Sequence, residues 1–329
     1  MSKGNVTMVT NFSKEEREGI VVIGGANIDI KGKSKNVIQW DTSNPGVIRV
    51  SHGGVGRNIA HYLGLLNTPV KFLSAVGDDN EGREILEKLR NAHVQAEEVI
   101  LSRKEPTGKY VAILDEKGDL QVGVSDTEIM KRVTPRYLIA KTGIIKKNRF
   151  VIIDTNLTPR AIQYIANLCR LEKIPLIVDP VSAVKSRKLL GILSKINYLT
   201  PDISELSTLS GIVIKNAADR QKAIGTLMKK GVKNIILTHS TRGVYIHSEQ
   251  TPEGEFINVR RKKMVDCTGA GDALVAGMAY GLYKNYELYH SVQIGIVIAS
   301  LTVTSPETVY SQLDETMVKK QMVRTFRIL

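Results

Sequence analysis

Short apolar runs, each closed by Gly, Asp, Pro or Ser, recur along the chain and predict buried β-strands. These runs are IVVIGG (20–25), VKFLSAVG (70–77), FVIID (150–154), IPLIVDP (174–180) and NIILTHS (234–240). Apolar residues at helical spacing lie between them, over residues 55–66, 81–91, 159–171 and 217–230. Alternation of continuously apolar strands with helices is typical of a parallel sheet that is covered on both faces. The pattern therefore predicts a doubly wound α/β fold with a mainly parallel sheet, in which ligands bind at the carboxyl ends of the strands.

Two segments instead alternate polar and apolar residues with a period of two and carry turn signals. They span residues 27–50 and 108–124, and the second contains Lys117-Gly118, a pair typical of a hairpin turn. We expect both segments to form antiparallel strands of a small β-sheet lid on the main domain. Because such strands expose sheet edges and an apolar face, they also predict a homodimer in which two lids pair.

Composition narrows the class of protein. The chain has 329 residues, of which 42% are hydrophobic, which is enough for one large core. The polar residues 1–19 predict a mobile tail, and residues 20–329 predict a single domain. No apolar run approaches the ~20 residues that a membrane span needs, and the two cysteines form neither a disulfide framework nor a zinc pattern. We therefore expect a cytoplasmic enzyme with no membrane partner.

The formal net charge of +13 is compatible with a nucleic-acid partner. The lysines and arginines are spread along the chain, however, and their densest runs are KKNR (146–149) and RRKK (260–263). No helix-turn-helix or RNA-binding signature accompanies these runs. The sequence thus favours a basic surface, which also attracts anionic ligands, over nucleic-acid binding.

The stretch DCTGAGDALVAG (266–277) marks a change from a strand pattern to a helix pattern. Its small residues Gly269, Ala270 and Gly271 leave backbone N–H groups bare at the N-terminus of the helix, which is a favourable position for an anion. Asp272 follows directly, where a carboxylate either stabilises the first turn or accepts a proton beside the bound anion. Both interpretations stay open on these residues alone.

A second glycine cluster, HGGVGRNIAHYLGLL (52–66), also opens a predicted helix. Gly53 and Gly54 allow a ligand to approach the backbone closely, and Asn58 lies in the first turn of that helix. In the earlier segment GGANIDIKG, Asn27 and Asp29 are two residues apart and share one face of an extended strand, which suits vicinal hydroxyl groups. Each of these pieces, taken singly, is more often a turn or a solvated strand than part of a ligand site.

Together, GGVGRNIA (53–60) and DCTGAGD (266–272) resemble the two signatures of the ribokinase (PfkB-type carbohydrate kinase) family, in order and in separation. The resemblance covers residues 20–325. It implies transfer of the ATP γ-phosphate to a sugar or nucleoside hydroxyl with Mg²⁺, by an α/β domain with a β-sheet lid.

Three further stretches, SNPG (43–46), the pair Arg57-Asn58 and DPVSAVK (179–185), are more similar to the pseudouridine kinases of that family than to its ribokinases. We therefore expect phosphorylation of the ribose 5′-hydroxyl of pseudouridine. A kinase for ribose or another nucleoside and a catalytically silent sugar- or nucleoside-binding regulatory protein are the alternatives.

The resemblance also implies roles for individual residues. Asp272 would be the general base, beside anion-hole amides from Gly269, Ala270 and Gly271. The ribose would be held by Asn27, Asp29, Gly53, Gly54 and Asn58. Glu205 would organise Mg²⁺ through water, with Asp202 where the family usually has asparagine, and Thr238 and Gly243 would lie in the nucleotide-binding strand and turn. Asp266 and Thr268 match positions near a monovalent-cation site, which would bind K⁺.

Overall fold

The computed structural model describes residues 17–239, 242–249, 251, 253–259 and 265–326. Residues 1–16 of the predicted tail, Ser240 and the RRKK run lie outside the described residues. The strands are β1 (Ile20–Ile23), β2 (Asn27–Ser34), β3 (Gly46–Gly53), β4 (Val70–Leu73), β5 (Ala75–Gly77), β6 (Val94–Gln95), β7 (Ile100–Ser102), β8 (Gly108–Leu114), β9 (Leu120–Asp126), β10 (Phe150–Asp154), β11 (Leu176–Asp179), β12 (Tyr198–Leu199), β13 (Asn234–His239), β14 (Gly243–Ser248) and β15 (Glu255–Asn258). The helices are α1 (Val55–Leu65), α2 (Asn80–Asn91), α3 (Pro135–Ala140), α4 (Thr142–Lys146), α5 (Pro159–Leu171), α6 (Ala183–Ser186), α7 (Ile203–Ser210), α8 (Ala217–Lys229), α9 (Ala270–Tyr283), α10 (Leu288–Thr302) and α11 (Glu315–Phe326).

Within these ranges, nine strands form the central sheet in the order β15-β14-β13-β12-β11-β10-β1-β4-β6. Every pair from β6 to β13 is parallel, and the two pairs from β13 to β15 are antiparallel. Side chains of β1 alternate between two apolar cores, with Ile20 and Val22 in one and Val21 and Ile23 in the other. The predicted doubly wound, mainly parallel fold is therefore confirmed.

The run predicted as one strand over 70–77 is split in two. β4 ends at Leu73, and β5 pairs with β7 in a separate two-stranded sheet. Ser74 lies at the break, where its hydroxyl donates to the Gly24 carbonyl at 2.6 Å. This side chain and the carbonyl after β1 fix the point at which the chain leaves the central sheet.

Small residues in α9 allow the last helices to pack closely. A Cβ atom added to Gly277 would lie 2.6 Å from the Cα atom of Gly295 in α10, and one added to Gly281 would lie 2.7 Å from the Cα atom of Ser291. The two helices thus meet backbone to backbone, and α9 is held rigidly. None of the helices in the described ranges is long and apolar enough to cross a membrane.

The lid is a four-stranded sheet in the order β3-β2-β8-β9. Its outer pairs are antiparallel, as predicted, and Gly118 adopts a φ of 97° in the turn of the β8–β9 hairpin. The central pair β2–β8 is parallel, so the expectation of wholly antiparallel strands is wrong there. The reason is topological, because both strands run outward from the main domain, starting at the paired residues Asn27 and Gly108.

Candidate active site

The topology places the candidate site at the carboxyl end of β1. This strand lies between β4 and β10, so the chain order reverses there, which is where ligands bind in open α/β sheets. The lid strand β2 begins only four residues after β1 ends. Helices α1 and α9, which carry the two glycine-rich motifs, pack against each other beside it.

Asp272 lies in the first turn of α9, and its side chain is buried. Its Oδ2 atom accepts a hydrogen bond from Asn58 Nδ2 of α1 at 2.6 Å. Gly269, the N-cap residue of this helix, has no side chain with which to cap it. The Asp272 carboxylate therefore serves a contact between two helices, in addition to any effect on its own helix.

Burial raises the pKa of Asp272 to about 7, and the charge of Asp154 acts in the same direction. The hydrogen bond from Asn58 and the charge of Arg57 oppose this shift. A carboxyl group that titrates near neutral pH is suited to accept a proton from a hydroxyl group.

The turn before Asp272 is shaped by two different glycines. Gly269 has a φ of 81°, and a Cβ atom there would lie 2.1 Å from the Thr308 carbonyl oxygen. Gly271 has nothing within 4 Å of an added Cβ atom, so protein packing does not require a glycine there. The Ala270 N–H donates to the Cys267 carbonyl at 3.3 Å, so it is the least available of the predicted anion-hole amides. The open side of Gly271 is where an anion can approach the helix N-terminus.

The predicted ribose-binding residues come together at the base of the lid. Asn27 Nδ2 donates to Asp29 Oδ1 at 2.6 Å, and a Cβ atom on Gly53 would lie 2.2 Å from the same oxygen. Gly54 has a φ of 95° and lies against the backbone of residues 25 and 26. Asn58 follows in the first turns of α1 and contacts Asp272, so the loops that carry these five residues meet close to the first turn of α9.

Asp154 is a site residue that sequence reasoning missed. It ends β10, and its Oδ2 atom accepts hydrogen bonds from the N–H groups of Gly25 at 2.7 Å and Gly56 at 2.8 Å. One buried carboxylate thus joins the loop after β1 to the first turn of α1. The available signal was the aspartate that closes the FVIID run, but only the strand order shows that it faces the glycine loops.

Arg57 is a second residue with a missed role. Its Nε donates to the Gly53 carbonyl at 3.1 Å and its Nη2 to Thr308 Oγ1 at 3.3 Å. Burial lowers its pKa to about 10, while the charges of Asp29 and Asp272 oppose the shift, so it stays protonated at neutral pH. It supplies a fixed positive charge behind the two carboxylates.

A second group of carboxyl groups lies at the ends of β11 and β12. Asp202 and Glu205 form a capping box at the start of α7. The Asp202 N–H donates to Glu205 Oε2 and the Glu205 N–H donates to Asp202 Oδ1, each at 2.8 Å. Burial raises the pKa of Glu205 to about 7. Burial and the charges of Asp272 and Glu205 raise the pKa of Asp179 well above its usual value. These groups therefore disfavour one another's ionisation, which a bound cation would relieve.

No group of three or more His, Cys, Asp or Glu side chains in the described residues is arranged to hold a metal ion by itself. A divalent ion near Glu205 would thus take most of its ligands from water and phosphate. The acid at position 202 has a local explanation, since its Oδ1 accepts the Glu205 N–H as a helix cap.

The two predicted nucleotide-binding residues have different surroundings. Thr238 donates its N–H to the Pro201 carbonyl at 2.9 Å, which brings the end of β13 beside Asp202. A Cβ atom on Gly243 would lie 2.3 Å from the Ile257 carbonyl oxygen, so contact with β15 is a sufficient reason for that glycine.

The lid contacts the two residues predicted to lie near a monovalent cation. Lys31 Nζ donates a hydrogen bond to Asp266 Oδ2 at 2.6 Å and another to Thr268 Oγ1.

Comparison with known proteins agrees with this geometry. Residues 17–315 match the family model described as pfkB family carbohydrate kinase. The chain belongs to the PfkB family. The general activity of this PfkB-family chain is therefore that of a carbohydrate or nucleoside kinase.

Its relatives within the PfkB family differ in their substrates. The chain is 34% identical to the pseudouridine kinase of Escherichia coli (strain K12) over 264 residues, which are 80% of this chain and 83% of the relative. It is 27% identical to the guanosine-inosine kinase of Exiguobacterium acetylicum over 290 residues, which are 88% of this chain and 95% of the relative. The structure of Arabidopsis thaliana ribokinase complexed with ribose and ATP superposes with a TM-score of 0.82 at 22% identity, over 93% of this chain and 99% of that chain. That superposition confirms the ribokinase-like fold with a lid.

Proposed function

We propose that this PfkB-family protein phosphorylates the ribose 5′-hydroxyl of pseudouridine with ATP and Mg²⁺, giving pseudouridine 5′-phosphate and ADP. The observation that carries the chemistry is the buried Asp272, with its pKa of about 7, beside the open N-terminus of α9 and opposite the surface formed by Asn27, Asp29 and Asn58. The observation that favours pseudouridine is the 34% identity to a pseudouridine kinase.

In this proposal, Asn27 and Asp29 bind the ribose hydroxyls and direct the 5′-oxygen toward Asp272. The 5′-oxygen attacks the γ-phosphorus, its proton passes to the Asp272 carboxylate, and the bond to the β–γ bridging oxygen breaks to release ADP. The first-turn N–H groups of α9 stabilise the charge on the transferring phosphoryl group. When bound, Mg²⁺ neutralises phosphate charge, and Glu205 together with Asp179 would support its water ligands.

Discrimination among nucleosides must come from groups near the base, since the ribose-binding residues serve all of them. Tyr110 pairs with Asp29 across β2 and β8, so the two share one face of the lid. Burial and the Asp29 charge raise the pKa of this phenol, which keeps it neutral, and a neutral phenol oxygen can accept a hydrogen bond from a ring N–H as well as donate one. Asn44 instead uses its side chain within its own loop, bonding the Gln39 backbone N–H and carbonyl at 2.8 Å each. We therefore assign base contact to Tyr110 and loop shape to Asn44.

Pseudouridine carries a ring N–H that uridine lacks, and an acceptor that pairs with it is left unpaired by uridine. Such a mismatch is worth discrimination on the order of 10⁴ in favourable sites.

The proposed function is tested by ATP consumption with pseudouridine, uridine, inosine, guanosine and ribose. Phosphorus NMR of the product then shows which hydroxyl carries the phosphate. We expect the highest kcat/KM for pseudouridine. Equal use of uridine or ribose would leave only the general kinase activity, and binding without turnover would favour a regulatory protein.

We also propose that the lid pairs with that of a second copy. Its outer strands β3 and β9 expose apolar side chains, with Ile48 73%, Val50 65% and Val124 61% exposed. In the part of the chain that the structure describes, these strands are also the two edges of the lid sheet, where one row of backbone groups has no strand beside it. A second lid would cover both features.

A further inference from the structure

Lys31 is the third residue on the face of β2 that carries Asn27 and Asp29, because alternate residues of a strand share a face. Its ammonium donates to Asp266 Oδ2 and Thr268 Oγ1, and only 16% of its side chain is exposed. The other oxygen of Asp266 accepts the Thr268 N–H at 2.9 Å. The lid thus delivers one positive charge to the segment that immediately precedes the anion-binding turn.

These two oxygens belong to the positions at which the family resemblance implies a monovalent cation. A carboxylate and a hydroxyl are suitable ligands for K⁺. Here, however, both already accept a hydrogen bond from the Lys31 ammonium. A potassium ion bound to the same oxygens would lie beside a like charge, and the two would repel strongly at such a separation. The residues present therefore do not fit a separate cation while Lys31 is in place.

We propose that the Lys31 ammonium replaces the monovalent cation, so that this enzyme works without K⁺. The geometry is that of an ion pair, with 2.6 Å between Lys31 Nζ and Asp266 Oδ2 and with both side chains largely buried. Lys31 would affect catalysis by positioning other groups, without touching the substrate. The charge fixes Asp266 and Thr268, and through them the turn at Gly269 that presents the first-turn N–H groups of α9. This role rests on the proposed kinase activity, whereas the replacement of the cation does not.

The test compares the wild type with Lys31→Met, which keeps the length of the side chain and removes its charge. Lys33→Met is the matched control, since Lys33 lies on the same face of β2 and is exposed. Melting temperatures are measured in KCl, NaCl and tetramethylammonium chloride at equal ionic strength, and crystals are soaked in Tl⁺, whose anomalous signal reports K⁺ sites. Neither readout uses the nucleoside, so both stand if the substrate assignment fails.

We expect the wild type and Lys33→Met to bind no Tl⁺ at Asp266 and to melt within about 1 °C in the three salts, since a ligand stabilises only a state that it binds. Lys31→Met should bind Tl⁺ at Asp266 and melt several degrees higher in KCl than in tetramethylammonium chloride. Turnover of Lys31→Met should fall about tenfold or more in tetramethylammonium and recover in KCl or NH₄Cl. Tl⁺ at Asp266 in the wild type would overturn the proposal even if Lys31→Met does not fold, as would a folded Lys31→Met that binds no Tl⁺ there.

Discussion

The side chains of Asn58 and Asp272 lie 214 residues apart in the chain, yet they meet through a 2.6 Å hydrogen bond from Asn58 Nδ2 to Asp272 Oδ2. Thr308 Oγ1 lies 3.4 Å from the Asn58 amide oxygen, on the other side of this amide. The amide therefore fixes one oxygen of the carboxylate. We expect the other oxygen to face the substrate hydroxyl.

Replacement of Asp272 by asparagine tests its role as general base. We expect Asp272→Asn to lower kcat by about 10²–10⁴-fold, the usual contribution of a general base. Nucleotide affinity, measured by calorimetry, should stay near that of the wild type because the helix N-terminus is intact. Turnover within threefold of the wild type would remove Asp272 from the mechanism.

Comparison of the wild type with Asp272→Asn also tests the pKa of Asp272. This pKa is about 7 in the folded state, against 3.8 for an ordinary aspartate. Between these two values the unfolded chain releases the proton while the folded protein keeps it. The free energy of unfolding of the wild type, relative to Asp272→Asn, should therefore fall as the pH rises from about 4 to about 7 and level off above. Urea titrations at several pH values measure this difference, and a flat difference would contradict the buried, neutral form. The acid limb of kcat should have a midpoint near the same pH.

Two glycines of the anion-binding turn should respond differently to alanine. Gly269→Ala should destabilise the protein, because φ is 81° and the new Cβ atom would lie 2.1 Å from a carbonyl oxygen. In Gly271→Ala the new Cβ atom has no protein atom within 4 Å, and alanine favours a helix more than glycine does. The melting temperature of this variant should therefore be unchanged or higher. It should nevertheless weaken ATP binding or turnover, since the methyl group occupies the side from which phosphate approaches. Full activity of Gly271→Ala would show that phosphate binds elsewhere.

Glu205→Gln tests the Mg²⁺ assignment. Glutamine also forms a capping box, so α7 should be preserved and the circular dichroism spectrum unchanged. We expect the Mg²⁺ concentration for half-maximal activity to rise about tenfold, since a charge that supports the water ligands is lost. Glu97→Gln, an exposed change outside the site, is the control. Unaltered Mg²⁺ dependence, or full activity in excess chelator, would exclude this role.

The homodimer is tested by a charge in the lid. Val124→Glu on the exposed strand β9 should shift the mass from light scattering toward that of the monomer at micromolar concentration, because it would bury a charge between two lids. Leu171→Glu places the same charge at a residue that is 77% exposed on the main domain and should leave the mass unchanged. A monomeric wild type would contradict the proposed pairing.

Several features followed from local patterns. Helix α5 begins at Pro159 and ends at Leu171, as its apolar spacing predicts, because this signal lies within the helix itself. Strand β10 likewise has the predicted bounds Phe150–Asp154. Asn27 and Asp29 share one face of a strand, as their spacing predicts, and they are joined by a hydrogen bond.

Other features depend on which elements become neighbours, and this is decided by tertiary packing. The parallel pairing of β2 and β8 follows from where both strands leave the domain, and neither strand's own pattern contains that information. Asp154 acquires its role only because β10 lies beside β1, and Lys31 reaches Asp266 only because the lid folds over the turn before α9. A carboxylate looks the same in the sequence whether it caps a turn, accepts a proton or pairs with a distant lysine. Its burial and its partners set its pKa and its chemistry, and both are properties of the folded chain.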